Sequence, residues 1–219
     1  MLRLLFEKKG RSVWISHLDL MRLFQRAFKR AGLPLKHTQG FNPRPSVSIA
    51  LPLSVGVESC CELLDFDLEE TSASCEEICQ KLNRTLVDGV RVLSVYGDGR
   101  KIRDIALLDC TVTMEYDAPQ DAAVADEIRE LFASDSLTVT KKGKNGPVEQ
   151  DILPMIKRIS VAAEGENTIV LHALICCQNP SLNPALLVSA VERYLPRRKP
   201  DHTCCSREEI YDSNETIFR

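Results

Sequence analysis

Hydrophobic and polar residues recur along the first half of the chain in a pattern that predicts four strands and two helices. The strands are predicted over residues 2–8, 47–53, 61–68 and 90–96, and the helices over about 17–31 and 73–86. Apolar residues return every three or four positions in the first helix, at Leu20, Met21, Phe24, Ala27, Phe28 and Ala31, so it has one apolar face. The order β-α-β-β-α-β is that of the ferredoxin-like fold, whose antiparallel sheet carries both helices on one face.

A similar order recurs after the polar, glycine-containing segment GDGRKIR at 97–103. Strands are predicted over 107–116, 136–140, 159–163, 168–176 and 204–210, helices over 121–133 and 183–194, and a hairpin-like turn at KKGKNGP. We therefore predict an α+β protein made of two ferredoxin-like units with antiparallel sheets. Their predicted limits are residues 1–98 and 104–219, and the second unit carries extra elements.

The residues at both ends of the first helix fix its limits and lead into a polar loop. Ser16 is an N-cap with Asp19 three positions later, as in a capping box, and Gly32 is typical of the residue just past a helix. The loop TQGFNPRP follows at 38–45. Its glycine permits positive φ, while its two prolines stiffen the chain, so we expect a rigid platform for side chains.

Positive charge is concentrated in this region. Residues 1–59 contain ten Lys or Arg and three Asp or Glu, a formal charge of +7, whereas the whole chain carries −3. The remaining residues therefore carry −10, and such a polarised chain is expected to have one face for an anionic molecule.

The cations of the first helix are the leading candidates for that face. Asp19 is the one acid on this helix, so the pattern predicts a surface for RNA phosphates or an acidic protein, with an ordinary solvated face as the alternative. Phe41 either plugs the core or stacks on a base. The predicted anion-binding and RNA-binding residues are Arg22, Arg26, Lys29, Arg30, Lys36, Gln39, Phe41, Asn42 and Arg44.

The sequence carries no complete catalytic motif, which favours a non-catalytic role. Nucleotide-binding glycine loops, the zinc-protease motif and the hydrolase nucleophile motif are all missing. His17 and His37 are weak catalytic candidates, since two histidines near cations can perform general acid–base cleavage of RNA. The nine cysteines contain no C-x-x-C pair and are interpreted as small apolar residues, so we expect no metal and no cofactor.

The sequence also indicates where in the cell the protein is located. No stretch approaches the about 20 apolar residues of a membrane span, and the N-terminus lacks the features of a signal peptide. We therefore expect a cytoplasmic protein that does not contact a membrane.

The segments LRLLFEKKGR, ISHLDLMRLFQRAFKRAGLPL and QGFNPRPSVSIALPLSVGVES together resemble the bacterial radical SAM-linked protein family. Members of that family contain a domain of unknown function, found beside a radical SAM enzyme or fused to it. The resemblance is strong over residues 2–95 and implies a radical SAM enzyme as partner, without supplying catalytic residues. We expect an accessory protein that binds RNA or an anionic substrate; the alternatives are an RNA-processing endonuclease-like enzyme using His17 and His37, and a protein–protein adaptor.

Overall fold

The computed structural model describes residues 1–69, 72–121, 123–143 and 146–219. Within these residues the chain forms ten strands and four α-helices, a mixed α+β structure whose strand pairs are antiparallel. The chain divides into two compact units, Met1–Ile102 together with Arg219, and Arg103–Phe218.

The first unit is a small antiparallel sheet with two helices. Its elements are β1 (Leu2–Lys8), α1 (His17–Arg30), β2 (Val47–Ile49), β3 (Val57–Phe66), α2 (Cys75–Asn83) and β4 (Val90–Tyr96). β1 pairs with β4 on one side and with β3 on the other, and β2 pairs with the end of β3. The strand order is therefore β4-β1-β3-β2, that is, fourth, first, third, second.

The second unit has the same kind of order with a hairpin added. Its elements are β5 (Leu107–Glu115), α3 (Ala123–Phe132), β6 (Thr138–Gly143), β7 (Gly146–Asp151), β8 (Ile156–Ala163), β9 (Thr168–Cys176), α4 (Ala185–Tyr194) and β10 (His202–Tyr211). The sheet order within this unit is β10-β5-β9-β8, while β6 and β7 pair with each other. Without that hairpin the order is again fourth, first, third, second.

Both helices of the first unit pack on one face of its sheet. The core joins Leu20, Phe24 and Phe28 of α1 and Ile78 and Leu82 of α2 to alternate residues of β1, β3 and β4. Phe6 meets Phe24 edge to face, with ring centroids 4.8 Å apart. This packing fixes which side of α1 faces solvent, and therefore where its cations lie.

The predicted ends of α1 have a clear physical basis. The Ser16 hydroxyl accepts a hydrogen bond from the Asp19 N–H (3.2 Å) and donates one to the Asp19 carboxylate (2.7 Å). At the other end Gly32 has φ +67°, and the Leu33 N–H donates to the Phe28 carbonyl (3.0 Å), as in a Schellman motif. The chain then leaves the helix towards the loop.

Some element limits differ from the sequence prediction. β2 contains three residues rather than seven and ends before Pro52, which has no N–H for a sheet ladder. The sequence predicts short extended structure over 148–156 with a break at Pro154, whereas β7 spans Gly146–Asp151 and a short 3₁₀ helix follows at Leu153–Met155. The centre of the KKGKNGP turn, residues 144 and 145, lies outside the described residues. Among the helices of the described residues, none has the length and apolar character that a membrane crossing requires.

Candidate anion-binding site

Two of the four cations on α1 are already bound by neighbouring protein groups. Arg22 forms a salt bridge with Asp19 over 3.0 Å, three positions earlier on the helix. Arg30 donates to the Thr85 carbonyl oxygen over 2.7 Å. The first contact also lowers the pKa of Asp19, after the larger effect of the Ser16 hydroxyl, so this carboxyl is ionised at neutral pH.

Arg26 and Lys29 differ from these two. Across residues 1–69, 72–121, 123–143 and 146–219, neither side chain donates a hydrogen bond or forms a salt bridge, and both are exposed. A cation in this state keeps its hydrogen-bonding capacity for a ligand. The predicted row of four cations therefore contains two that are available and two that are held.

Arg26 and Lys29 both line a cleft of about 550 Å³ between α1 and the chain that follows it. Its apolar lining is formed by Phe28 and by the segment Gly32–Leu35, and its polar residues include His37 and Glu69. The complete lining is Gln25, Arg26, Phe28, Lys29, Gly32, Leu33, Pro34, Leu35, His37, Pro45 and Glu69. An apolar pocket with a few polar groups, in the size range of about 300–1,000 Å³, is typical of sites for small organic ligands.

A second groove of about 430 Å³ lies on the other flank of α1. It is lined by Ile15, Asp19, Arg22, Leu23, Arg26, Arg30 and Val87. Arg26 contributes to both grooves, so the cations of α1 line two adjoining grooves along the helix, and among the described residues Asp19 is the one acid that lines the second groove. An extended polyanion can follow such a surface.

The predicted loop is a narrow hairpin whose base is tied to the sheet. The Thr38 N–H donates to the Arg44 carbonyl (2.8 Å), and the Arg44 N–H donates to the Thr38 hydroxyl (3.0 Å). At the base, the Ser46 N–H donates to the Lys36 carbonyl (2.7 Å), and the Lys36 N–H donates to the backbone carbonyl of Asp67 (2.9 Å). These hydrogen bonds hold the two arms of the hairpin together and attach its base to the chain after β3, so the position of the tip is constrained.

The tip of this hairpin presents its side chains to solvent. Phe41 has a relative exposure of 112%, so the interpretation that it plugs the core is wrong. Gly40 has φ +130°, which lets the tip reverse direction beside it. Gln39, Asn42, Lys36 and Arg44 are also exposed. The surface residues predicted from the sequence therefore face solvent, and only Arg26, Lys29 and His37 among the candidates line the larger cleft.

The structure does not bring the two candidate histidines together. His17 is the first residue of α1, whereas His37 lines the cleft beside Lys29 near the end of that helix. At about 1.5 Å rise per residue, the His17 and Lys29 positions are about 18 Å apart along the helix axis. A pair acting on one phosphodiester as acid and base must both reach it, so this geometry does not support the His17/His37 endonuclease alternative.

The cleft itself was missed by the sequence analysis. Glu69 and Gln25 are not among the residues predicted from the sequence to bind an anion, and neither are Leu33 and Leu35. The segment AGLPL carried a usable signal, since a glycine stop and a proline immediately after a basic helix force the chain back along it.

The cysteines show no site in the described part of the chain. Burial raises the pKa of Cys177 to about 12 and that of Cys205 to about 11, so both thiols are protonated at neutral pH. No group of three or more His, Cys, Asp or Glu side chains among the described residues is placed to hold a metal ion.

Comparison with known proteins gives one informative likeness and one family. No curated protein matches the chain. A chain of the crystal structure of a Cbf5-Nop10-Gar1 complex is 9% identical, with a TM-score of 0.52; the match covers 95% of this chain and 48% of that one. The present chain thus spans about half the length of that protein, and the likeness shows the fold alone.

A further match is the crystal structure of an unknown protein from Galdieria sulphuraria, 11% identical over 94% of this chain and 96% of that one; its TM-score of 0.26 supports no conclusion. The sequence profile of a bacterial family matches residues 1–184, which include the whole of the candidate site. The chain therefore belongs to the family described as "Uncharacterized protein conserved in bacteria (DUF2344)".

Proposed function

We propose that this protein is a non-catalytic accessory protein that binds single-stranded RNA through α1 and the hairpin of residues 37–45. The observation that carries the proposal is a pair of exposed cations beside an apolar cleft of about 550 Å³: among the described residues, the side chains of Arg26 and Lys29 form no hydrogen bond and no salt bridge. Cations without protein partners bind phosphates by releasing the counterions of the nucleic acid. The exposed ring of Phe41 supplies a surface on which an unpaired base can stack.

The strand orders support a more specific description of the fold. If the β6–β7 hairpin is left aside, the described residues of each unit form four strands in the spatial order fourth, first, third, second. One helix connects the first strand to the second, and the other helix connects the third strand to the fourth. This is the split β-α-β arrangement, so we propose two ferredoxin-like units. The basic unit would bind the nucleic acid.

We also propose a radical SAM enzyme as the partner, in the cytoplasm. This part rests on the resemblance of SHLDLMR and GFNPRP, in that order, to the radical SAM-linked proteins. Exposed apolar side chains beside the start of α1 are compatible with a protein contact: Trp14 is 72% and Leu18 66% exposed, and Val55, in the connection between β2 and β3, is 53% exposed. Aromatic side chains of this kind are enriched where proteins bind one another.

A pull-down with the full chain tests the partner. We expect a radical SAM enzyme among the proteins recovered with the wild type after nuclease treatment, and its loss with Trp14→Ser/Leu18→Ser. The matched control is Val148→Ser, which changes an exposed apolar residue of the second unit. Recovery of no radical SAM enzyme with the wild type would sink this part of the proposal and leave RNA binding to its own test.

The RNA-binding function is tested by the salt dependence of affinity for a labelled single-stranded RNA, measured by fluorescence anisotropy. Each phosphate contact contributes about −0.7 to the slope of log K against log salt for a single strand, so Arg26→Gln/Lys29→Gln should reduce the slope by about 1.4. The control Lys157→Gln/Arg197→Gln removes the same charge from exposed positions of the second unit. An unchanged slope in the first variant, or an equal change in both, contradicts the proposal.

A further inference from the structure

The cleft contains an acid in a position that phosphate binding alone does not explain. Glu69 lines the same cleft as Arg26 and Lys29, and its backbone N–H donates to the Pro34 carbonyl (2.9 Å), which fixes its place in the chain. Its side chain is exposed and forms no salt bridge in the parts of the chain that the structure describes. A carboxylate in an anion site repels the ligand, unless the ligand brings N–H groups for it.

The remaining lining restricts the ligand further. Pro34 and Pro45 supply accessible apolar surface, with Phe28, Leu33 and Leu35 buried behind it, and a small inorganic anion would leave that surface unused. The ligand therefore combines an apolar body, N–H donors and a negative group. A nucleobase with its phosphate has all three, and a volume of about 550 Å³ lies in the range of sites for ligands of this size.

We propose that the cleft binds one nucleotide of the RNA strand and that Glu69 makes it selective for guanine; this inference rests on the proposed RNA-binding function. Guanine presents N1–H and N2–H side by side on its Watson–Crick edge, so both can donate to the two oxygens of one carboxylate. Adenine and cytosine present a single amino group there, and uracil presents one N–H between two carbonyl oxygens. Arg26 and Lys29 bind the phosphate of the same nucleotide.

The test uses the four nucleoside 5′-monophosphates and the full chain, with affinities measured by isothermal titration calorimetry. A bidentate pair discriminates between bases by about 5- to 150-fold, so GMP should bind at least about fivefold more tightly than UMP. Glu69→Gln keeps one acceptor and should remove most of this preference. The control Glu76→Gln changes an exposed acid on α2, outside the cleft, and should leave the preference intact.

The phosphate contact has a test of its own. GMP should bind more tightly than guanosine to the wild type, and this advantage should disappear in Arg26→Gln/Lys29→Gln. Circular dichroism of each variant establishes that it is folded. Equal affinities of the four monophosphates, or no binding of any, overturn the inference.

Failure of the inference and failure of RNA binding give different results. Anisotropy with an octamer of uridines and with the same octamer carrying one guanosine is measured in parallel. If both octamers bind equally and GMP does not bind, the guanine site is wrong and the RNA-binding function stands. If neither octamer nor any monophosphate binds, both are wrong.

Discussion

Lys8 shows how a single buried residue holds the start of α1 in place. Its side chain is fully buried, and its ammonium group donates to the carbonyl oxygens of Val13 (3.1 Å) and Ile15 (3.2 Å). These two carbonyls lie in the turn that leads to the Ser16 cap. The position of the whole basic helix therefore depends on a charge inside the protein.

We predict that Lys8→Met lowers the free energy of unfolding by about 2–4 kcal/mol, because a buried carbonyl group and a partly buried one lose their donor. Urea denaturation followed by circular dichroism measures this. Lys9→Met is the control, since Lys9 is an exposed neighbour paired with Glu7 and should change stability by no more than about 0.5 kcal/mol. Equal unfolding midpoints for Lys8→Met and the wild type would show that the ammonium is not needed.

A substitution of Phe41 is expected to change RNA affinity without changing the stability of the protein. Because the side chain is fully exposed, Phe41→Ala should change the free energy of unfolding by less than about 0.5 kcal/mol. A lost base stack costs about 1–3 kcal/mol, so affinity for single-stranded RNA should fall about 5- to 150-fold. Anisotropy and urea titrations on the same preparation check both numbers, with Val148→Ala as control; a destabilised variant, or one with unchanged affinity, argues against stacking.

The sequence predicted individual residues well where the cause is local. Ser16 caps α1 and Gly32 ends it because caps and positive φ depend on neighbouring residues only. The cleft could not be predicted in this way. Glu69 reaches it because the chain just after β3 passes beside the segment 33–35, a contact between residues far apart in sequence.

At the scale of elements, Arg198 ties the chain after α4 to the middle of α3 and to the residue two positions before that helix. It binds the carboxylates of Asp121 (3.0 Å) and Glu127 (2.8 Å). Hydrogen bonds from Arg198 lower the pKa of both carboxyls below their ordinary values. This contact connects two helical elements that the strand pairings leave independent.

The lowered pKa values of Asp121 and Glu127 determine how the stabilisation by Arg198 changes with pH. A carboxyl whose pKa is lower in the folded protein stabilises it above the unfolded pKa, and that stabilisation is lost as pH falls through the folded pKa. We predict that Arg198→Met is less stable than the wild type at pH 7, and that the difference shrinks as the pH falls below about 4. Urea midpoints between pH 7 and pH 2.5 measure this; a difference independent of pH, or one matched by the control Arg197→Met, contradicts the assignment.

Whole elements were predicted when their apolar pattern was strong. β1, β4 and β9 have the limits that alternation indicates, because one or both faces of these strands are buried. β2 and β7 were less well predicted. The KKGKNGP segment predicts the turn between β6 and β7, but β7 is largely exposed, so its limits depend on pairing with β6 rather than on an apolar pattern.

On the scale of the whole molecule, charge is divided between the two units. The first, Met1–Ile102 with Arg219, has 16 Lys or Arg and 12 Asp or Glu, a net charge of +4; the second has 12 and 19, a net charge of −7. The +7 of residues 1–59 is thus partly offset by acids later in the same unit. Association with a polyanion then depends on where the cations lie, rather than on the total of −3.

This division predicts an unusual chromatographic behaviour of the intact chain. At pH 7.5 and low salt, the protein should be retained both by an anion exchanger and by heparin, although its sequence pI is about 5.9. Arg26→Gln/Lys29→Gln should elute from heparin at lower salt than the wild type, because heparin, like RNA, is bound through released counterions. The variant Lys157→Gln/Arg197→Gln has the same net charge and should elute from heparin with the wild type. If the two variants elute together, total charge governs heparin binding and the surface on α1 has no special role. If only Arg26→Gln/Lys29→Gln elutes earlier than the wild type, the location of the cations governs heparin binding.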